Sequence, residues 1–253
     1  MSDPERGDSL ATTLAQVQRI GGSVRDRLSS DMSRLIGQLT QSVEIEDYML
    51  FVEYSAVLNG CLELLSAFSG LERENVTRGS GWLFMSLGRR LERAIYLAAQ
   101  LRELAEPLTA TEWPLLEYML EAADSSITYR SRYYTTLQPV AVLDVLLADE
   151  TNPRSLDFQL SHIADLYQKL PRHIPDDLQS IKRALASVRS LNLQNIRYPL
   201  PGTNGVMGDD EERHRLKQVL KNLDEFLPAW SNNLSDTYFA HARALPVTIG
   251  VGE

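Results

Sequence analysis

The chain of 253 residues holds a single cysteine, Cys61, which can form no internal disulfide and cannot by itself build a zinc site. Turn-forming residues are sparse as well: 14 glycines and 11 prolines are few for an all-β protein with its many reversals. No run reaches the roughly 20 consecutive apolar residues that a bilayer-spanning helix needs, so no membrane segment is expected. Cations are in deficit, with 25 Lys and Arg against 34 Asp and Glu and a formal charge of −9, which argues against general nucleic-acid binding. The patterns that cradle phosphates or present a serine nucleophile are missing, and Gly79-Ser-Gly81 is too short to hold a phosphate. The four histidines, His162, His173, His214 and His241, are scattered. Glu211 to His214 makes one Glu-x-x-His where a di-iron bundle needs two, so neither metal nor cofactor is expected. The polar start Met1-Ser-Asp-Pro-Glu-Arg6 lacks the apolar core of a secretory signal. These features lead us to expect an acidic cytoplasmic protein.

What is present is helical periodicity almost throughout. Leu10, Leu14, Val17, Ile20, Val24 and Leu28 step by threes and fours, as do Phe51, Tyr54, Leu58, Cys61, Leu65 and Phe68. Phe84 to Leu101, Leu116 to Ile127, Leu156 to Leu170, Leu178 to Val188 and Leu216 to Leu234 repeat the pattern. The only alternating stretch is the tail, Pro246 to Val251. The spacing predicts an all-α bundle of seven helices, or eight with a short Val140–Ala148 segment. Asn152-Pro153 reads as a helix cap followed by proline at the first helical position. Thr111 reads as a cap that puts Pro114 at the third position, residues 195–210 as a loop, and Pro228 as a kink. A weak duplication lies 146 residues apart: Asp3, Ser9, Leu10 and Leu14 match Asp149, Ser155, Leu156 and Leu160, with Val17, Ile20 and Val24 against Ile163, Leu166 and Leu170.

Three stretches carry candidate chemistry. In Ser86-Leu-Gly-Arg-Arg-Leu-Glu-Arg-Ala94, helical spacing sets Gly88, Glu92, Ile95 and Ala99 along one edge of the apolar stripe. Glu92 is therefore expected beside the core and partly buried, with Arg89 and Arg93 placed to neutralise carboxylates. Such a group could bind a polar ligand or partner, or simply fix helix register as an ion pair. Asp124 to Tyr134 concentrates Arg130, Arg132 and three tyrosines, Tyr129 among them, suited to an anion or an acidic surface and equally to packing of arginine on tyrosine. Asp149 to Ser155 opens a helix with Asn152 and Arg154 together, where an anion could sit or the loop could satisfy its own caps. Cys61 falls on the core seam.

These motifs carry a family resemblance. Glu74-Asn-Val-Thr-Arg-Gly-Ser-Gly-Trp82 running into Leu87-Gly-Arg-Arg-Leu-Glu-Arg-Ala94, Ser125 to Tyr133, Asn152-Pro-Arg-Ser-Leu156 and Phe158-Gln-Leu160 resemble the Alpha-E domain, and Val24 to Ser29 is similar to that family's arginine-bearing helix. The resemblance implies a bacterial all-helical domain over residues 1–240 with a tail at 241–253. It also implies a circularly permuted ATP-grasp protein, or an upstream domain, as partner in amide-bond or peptide-tag synthesis, with an acidic or peptidic substrate. The family's earlier copy of the Trp…Gly-Arg-x-Leu-Glu-Arg-Ala helix is missing, so the pattern starts mid-domain. Three roles follow as expectations: an accessory module without its own ATP site, with Arg89, Glu92, Arg93, Asp124, Tyr129, Arg130, Asn152 and Arg154 on its working surface; an enzyme using Glu92 as general acid or base; or a purely structural bundle.

Overall fold

Serine side chains decide where several helices begin. The Ser9 hydroxyl accepts the Thr12 N–H at 3.1 Å, Ser29 that of Met32 at 3.2 Å, and Ser155 that of Phe158 at 3.1 Å. Each satisfies an amide that the first helical turn leaves without a carbonyl. The computed structural model describes residues 9–42, 51–106, 108, 113–134, 136–198 and 211–239. Among them are ten α-helices and no strand: α1 (Leu10–Ser23), α2 (Ser30–Gln41), α3 (Phe51–Asn75), α4 (Ser80–Leu101), α5 (Pro114–Ala122), α6 (Ser126–Tyr133), α7 (Pro139–Leu143), α8 (Leu156–Tyr167), α9 (Pro175–Arg189) and α10 (Glu211–Phe239).

The class is as expected, and the count exceeds seven or eight for local reasons. The Leu116–Ile127 run breaks at Asp124, whose φ of 50° lies outside the helical range and separates α5 from α6. The Val140–Ala148 segment is α7 followed by a π-helical turn, Asp144–Ala148. Two cap assignments are corrected. α8 starts at Leu156 behind Ser155, so Asn152 caps nothing and Pro153 lies outside the helix. Pro114 opens α5 within its first two positions, where its missing N–H costs nothing, instead of at the third. Thr111, residues 199–210, His241 and the tail at Pro246–Val251 lie outside the described residues. α10 continues through Pro228 as one helix.

The helices form two compact units, Met1–Trp82 and Leu83–Glu253. In the first, Leu14, Leu39 and Cys61 are buried together, with Leu10, Ala11, Val57 and Leu64 packed around them. Val17, Ile20 and Val24, expected in the core, are exposed, as is Leu65. The Arg78 guanidinium donates to the carbonyls of Glu72 and Arg73 and lies 4.6 Å over the Trp82 ring, placing a cation on the C-terminal carbonyls of α3.

In the second unit Leu87, Leu91, Ala94, Ala98 and Leu101 of α4 are buried, as are Leu156, Leu160 and Ile163 of α8 and Leu216, Leu220, Leu223 and Leu227 of α10. Ile127, placed in a core run by spacing, is 81% exposed because the break at Asp124 re-aims α6. The Trp230 ring of α10 meets Tyr167 of α8 edge-on at 5.0 Å. The duplication extends to the fold: α1 and α8 both follow a serine cap, and α2 begins at Ser30 as α9 begins at Pro175, each pair packed as a hairpin.

Candidate functional site

The loop between the π-helical turn and α8 gathers most of the polar side chains that the motifs singled out. Asn152 is buried and makes three bonds at once. Its amide donates to Ser125 Oγ at 3.1 Å and to the Val145 carbonyl at 2.9 Å, and its Oδ1 accepts the Arg154 N–H at 3.1 Å. Ser155 is wholly buried and its hydroxyl donates to the Asp149 carbonyl while capping α8. Asp149 Oδ1 accepts from the Thr151 N–H at 2.9 Å and hydroxyl at 2.7 Å, and Oδ2 stands 2.7 Å from the Arg132 guanidinium. Arg154 reaches back to Asp124 at 3.2 Å. The loop thus ties α6, the π-helical turn and α8 together through its own polar atoms.

Burial works to raise the Asp149 carboxyl's pKa, but the two Thr151 bonds and Arg132 outweigh it and hold the group below the ordinary carboxylate value. A depressed carboxylate contributes stability that is complete above its unfolded value near 3.8 and fades as pH falls through the lower folded value. Asp149→Asn is therefore expected to cost stability at pH 6 and much less at pH 2. Chemical denaturation at the two pH values checks this, and an equal loss at both would refute it.

Tyr129 and Arg130 part company. Tyr129 is buried, and its phenol donates to the Thr136 carbonyl and accepts the Gln138 N–H, both at 3.0 Å, so it fastens the segment before α7. Arg130 is exposed, with its Nε on the Ser126 carbonyl at 3.3 Å. Tyr133 donates to Asp144 at 2.6 Å, and burial together with that carboxylate pushes its phenol up to about 12. Asp124 precedes α6 and so does not share a helical face with Arg132.

Glu92 is corrected: it is exposed, not beside the core. The buried stripe of α4 runs through Leu87, Leu91, Ala94 and Ala98, and Glu92 follows Leu91 by the 100° that one helical residue turns. Gly88 makes no room for it, since a Cβ there would meet nothing within 4 Å. Arg89 and Arg93 are half-buried and engaged in contacts of their own. One turn beyond Glu92, Tyr96 shares a hydrogen bond with Tyr118 of α5 that holds its phenol above the ordinary value, and both rings are more than half exposed.

Several residues escaped the sequence reading. Arg90 links α4 to α8: it donates to Gln159 at 3.1 Å and lies 4.9 Å over Phe158. Asp157 is buried on α8 and receives Nε and Nη2 of Arg189 at 2.6 and 2.8 Å. Among the described residues the buried glutamate is Glu72 on α3. Its Leu71-Glu72-Arg73 repeats Leu91-Glu92-Arg93, a signal that was available in the sequence. Among the described residues no cluster of three or more His, Cys, Asp or Glu could hold a metal, and no helix is long and apolar enough to cross a membrane.

Fold and polar cluster together define an all-helical protein stitched by side-chain caps, with a Glu-Arg helix facing outward. The chain belongs to the Alpha-E family, described as a predicted alpha-helical domain with a conserved ER motif, which it matches over residues 1–239. It is similar to an uncharacterized protein of Mycobacterium bovis and to two of Mycobacterium tuberculosis strains, each 30% identical over 181 residues. Those matches cover 67% of this chain and 20% of each relative, so the chain spans a small part of their length. No solved structure matches it.

Proposed function

We propose that this chain is a helical accessory module of an ATP-grasp-linked amide-bond-forming system, docking the ligase or holding its acidic or peptidic substrate without an ATP site of its own. The observation that carries this reading is the outward face of α4 and α5, where Glu92, Tyr96 and Tyr118 are exposed beside the half-buried Arg89 and Arg93. Rigid helices presenting tyrosine and arginine suit protein recognition, because these side chains bring large contact area with few rotatable bonds to immobilise. By contrast, Asn152, Tyr129 and Asp149 are occupied in holding the helices together. A solvated Glu92 carboxylate also favours docking over acid-base chemistry, which draws its strength from a desolvated site.

Pull-down with a cognate ATP-grasp protein, coupled to ATP turnover with and without this chain, tests the reading. Tyr96→Ala with Tyr118→Ala is expected to weaken capture at least tenfold while the helical circular dichroism is unchanged. No capture and unchanged turnover would end it. Loss of pathway activity in Glu92→Gln with capture intact would favour the enzyme instead.

A further inference from the structure

Tyr96 of α4 and Tyr118 of α5 are anchored but not covered. Their hydroxyls are spent on the hydrogen bond they share, yet the rings remain 58% and 55% exposed. What is left for an outside group is a pair of aromatic faces on two helices whose inner sides, Leu91, Ala94 and Ala98 of α4 and Leu116, Met119 and Leu120 of α5, are buried in the core.

The surroundings of the pair are negative. Glu92 lies four residues before Tyr96 on α4, and Glu121 three residues after Tyr118 on α5, spacings that set each carboxylate on its tyrosine's side of the helix. Glu117 stands four residues before Glu121, a like-charge spacing that works against α5. All three glutamates are exposed, and none makes an ion pair among the described residues. Arg89 and Arg93, which flank Glu92 in sequence, are half-buried and engaged elsewhere. The fold thus displays two tyrosine faces among three carboxylates that it does not neutralise.

We propose that this face takes an arginine-bearing segment of the partner protein, a guanidinium lying over the tyrosine rings and bonded to the glutamates beside them. A tyrosine face attracts a cation, and the planar guanidinium can stack on it while meeting a carboxylate through two parallel hydrogen bonds. A lysine ammonium offers only a compact point charge, so the tyrosines make the face select arginine where a bare group of acids would not. The formal charge of −9 draws a cationic segment in over longer range. An acidic substrate would be repelled here, so the face suits docking of the ligase and not the holding of its substrate. The proposal names the partner's chemistry at the docking face of α4 and α5 and rests on that reading.

Amide chemical-shift titration of the full chain at low salt tests it, with acetyl-Ala-Arg-Ala-Ala-Arg-Ala-amide and the same peptide carrying Lys or Glu in place of Arg as probes. The Arg peptide is expected to shift amides of α4 and α5 around Tyr96 and Tyr118 and to bind at least threefold more tightly than the Lys peptide, with no shift from the Glu peptide. Tyr96→Ala with Tyr118→Ala is expected to abolish the preference for Arg, and Tyr96→Phe with Tyr118→Phe, which keeps the ring faces, to retain it. Glu92→Gln, Glu117→Gln and Glu121→Gln combined are expected to weaken binding at least tenfold at unchanged helicity, and to weaken capture of the ATP-grasp protein as far. Equal binding of the Arg and Lys peptides, shifts confined to other helices, or wild-type affinity in the triple variant would overturn the proposal. Ligase capture that the triple variant leaves intact overturns it too and spares the docking reading, whereas absence of capture by the wild type ends that reading and leaves the peptides to decide the face.

Discussion

Arg189→Met is expected to destabilise the second unit by about 3 kcal/mol, at the lower end of what removing one partner of a buried ion pair costs. The Asp157 side chain is 2% exposed, and both its oxygens are held by Arg189, whose own side chain is 47% exposed. Removing the arginine strands a carboxylate that water cannot reach. Removing the acid leaves a guanidinium that can turn to solvent, with Glu150 already 3.8 Å away. Asp157→Asn should therefore cost less, about 1–2 kcal/mol for the lost charge-assisted bonds. Combining Arg189→Met with Asp157→Leu should recover much of the loss, since a buried pair replaced by apolar groups is often neutral. Denaturant titration of the three variants checks the order, and an Asp157→Asn loss equal to or above that of Arg189→Met would refute it.

Asn152→Ala is expected to cost a similar amount, about 3 kcal/mol, through a different cause. One amide side chain serves Ser125, the Val145 carbonyl and the Arg154 N–H, and Val145 is fully buried. Truncation leaves that carbonyl without a donor, and each stranded buried group costs about 1–3 kcal/mol. The loop should also loosen, so the Arg154 amide should exchange its hydrogen faster than the α8 amides that follow. Thermal unfolding together with hydrogen exchange reads both effects. A stability within about 0.5 kcal/mol of wild type, an ordinary surface substitution, would show that water replaces the amide without loss.

Apolar periodicity made the helices legible because each must bury one stripe, and Leu87, Leu91, Ala94 and Leu101 do so. The same rule misplaced Val17, Ile20 and Val24, since periodicity identifies a stripe without saying whether anything packs on it. The loop at 149–155 was legible as a cluster but not as a fastener. Its partners, Ser125, Arg132 and Val145, lie up to 27 residues away in sequence, and spacing along one helix carries no information about such pairs.

Helical class, the absence of a thiolate-rich metal site, the repeated hairpin and the family were set by sequence alone, because residue type and period determine them without reference to long-range packing. Tertiary structure decided which motif residues face inward. Glu72 is buried and Glu92 is exposed although both sit in Leu-Glu-Arg, because the neighbouring helices, not the tripeptide, determine which side of each helix is covered. It likewise decided that Tyr167 of α8 meets Trp230 of α10, since a contact between helices belongs to neither sequence segment by itself.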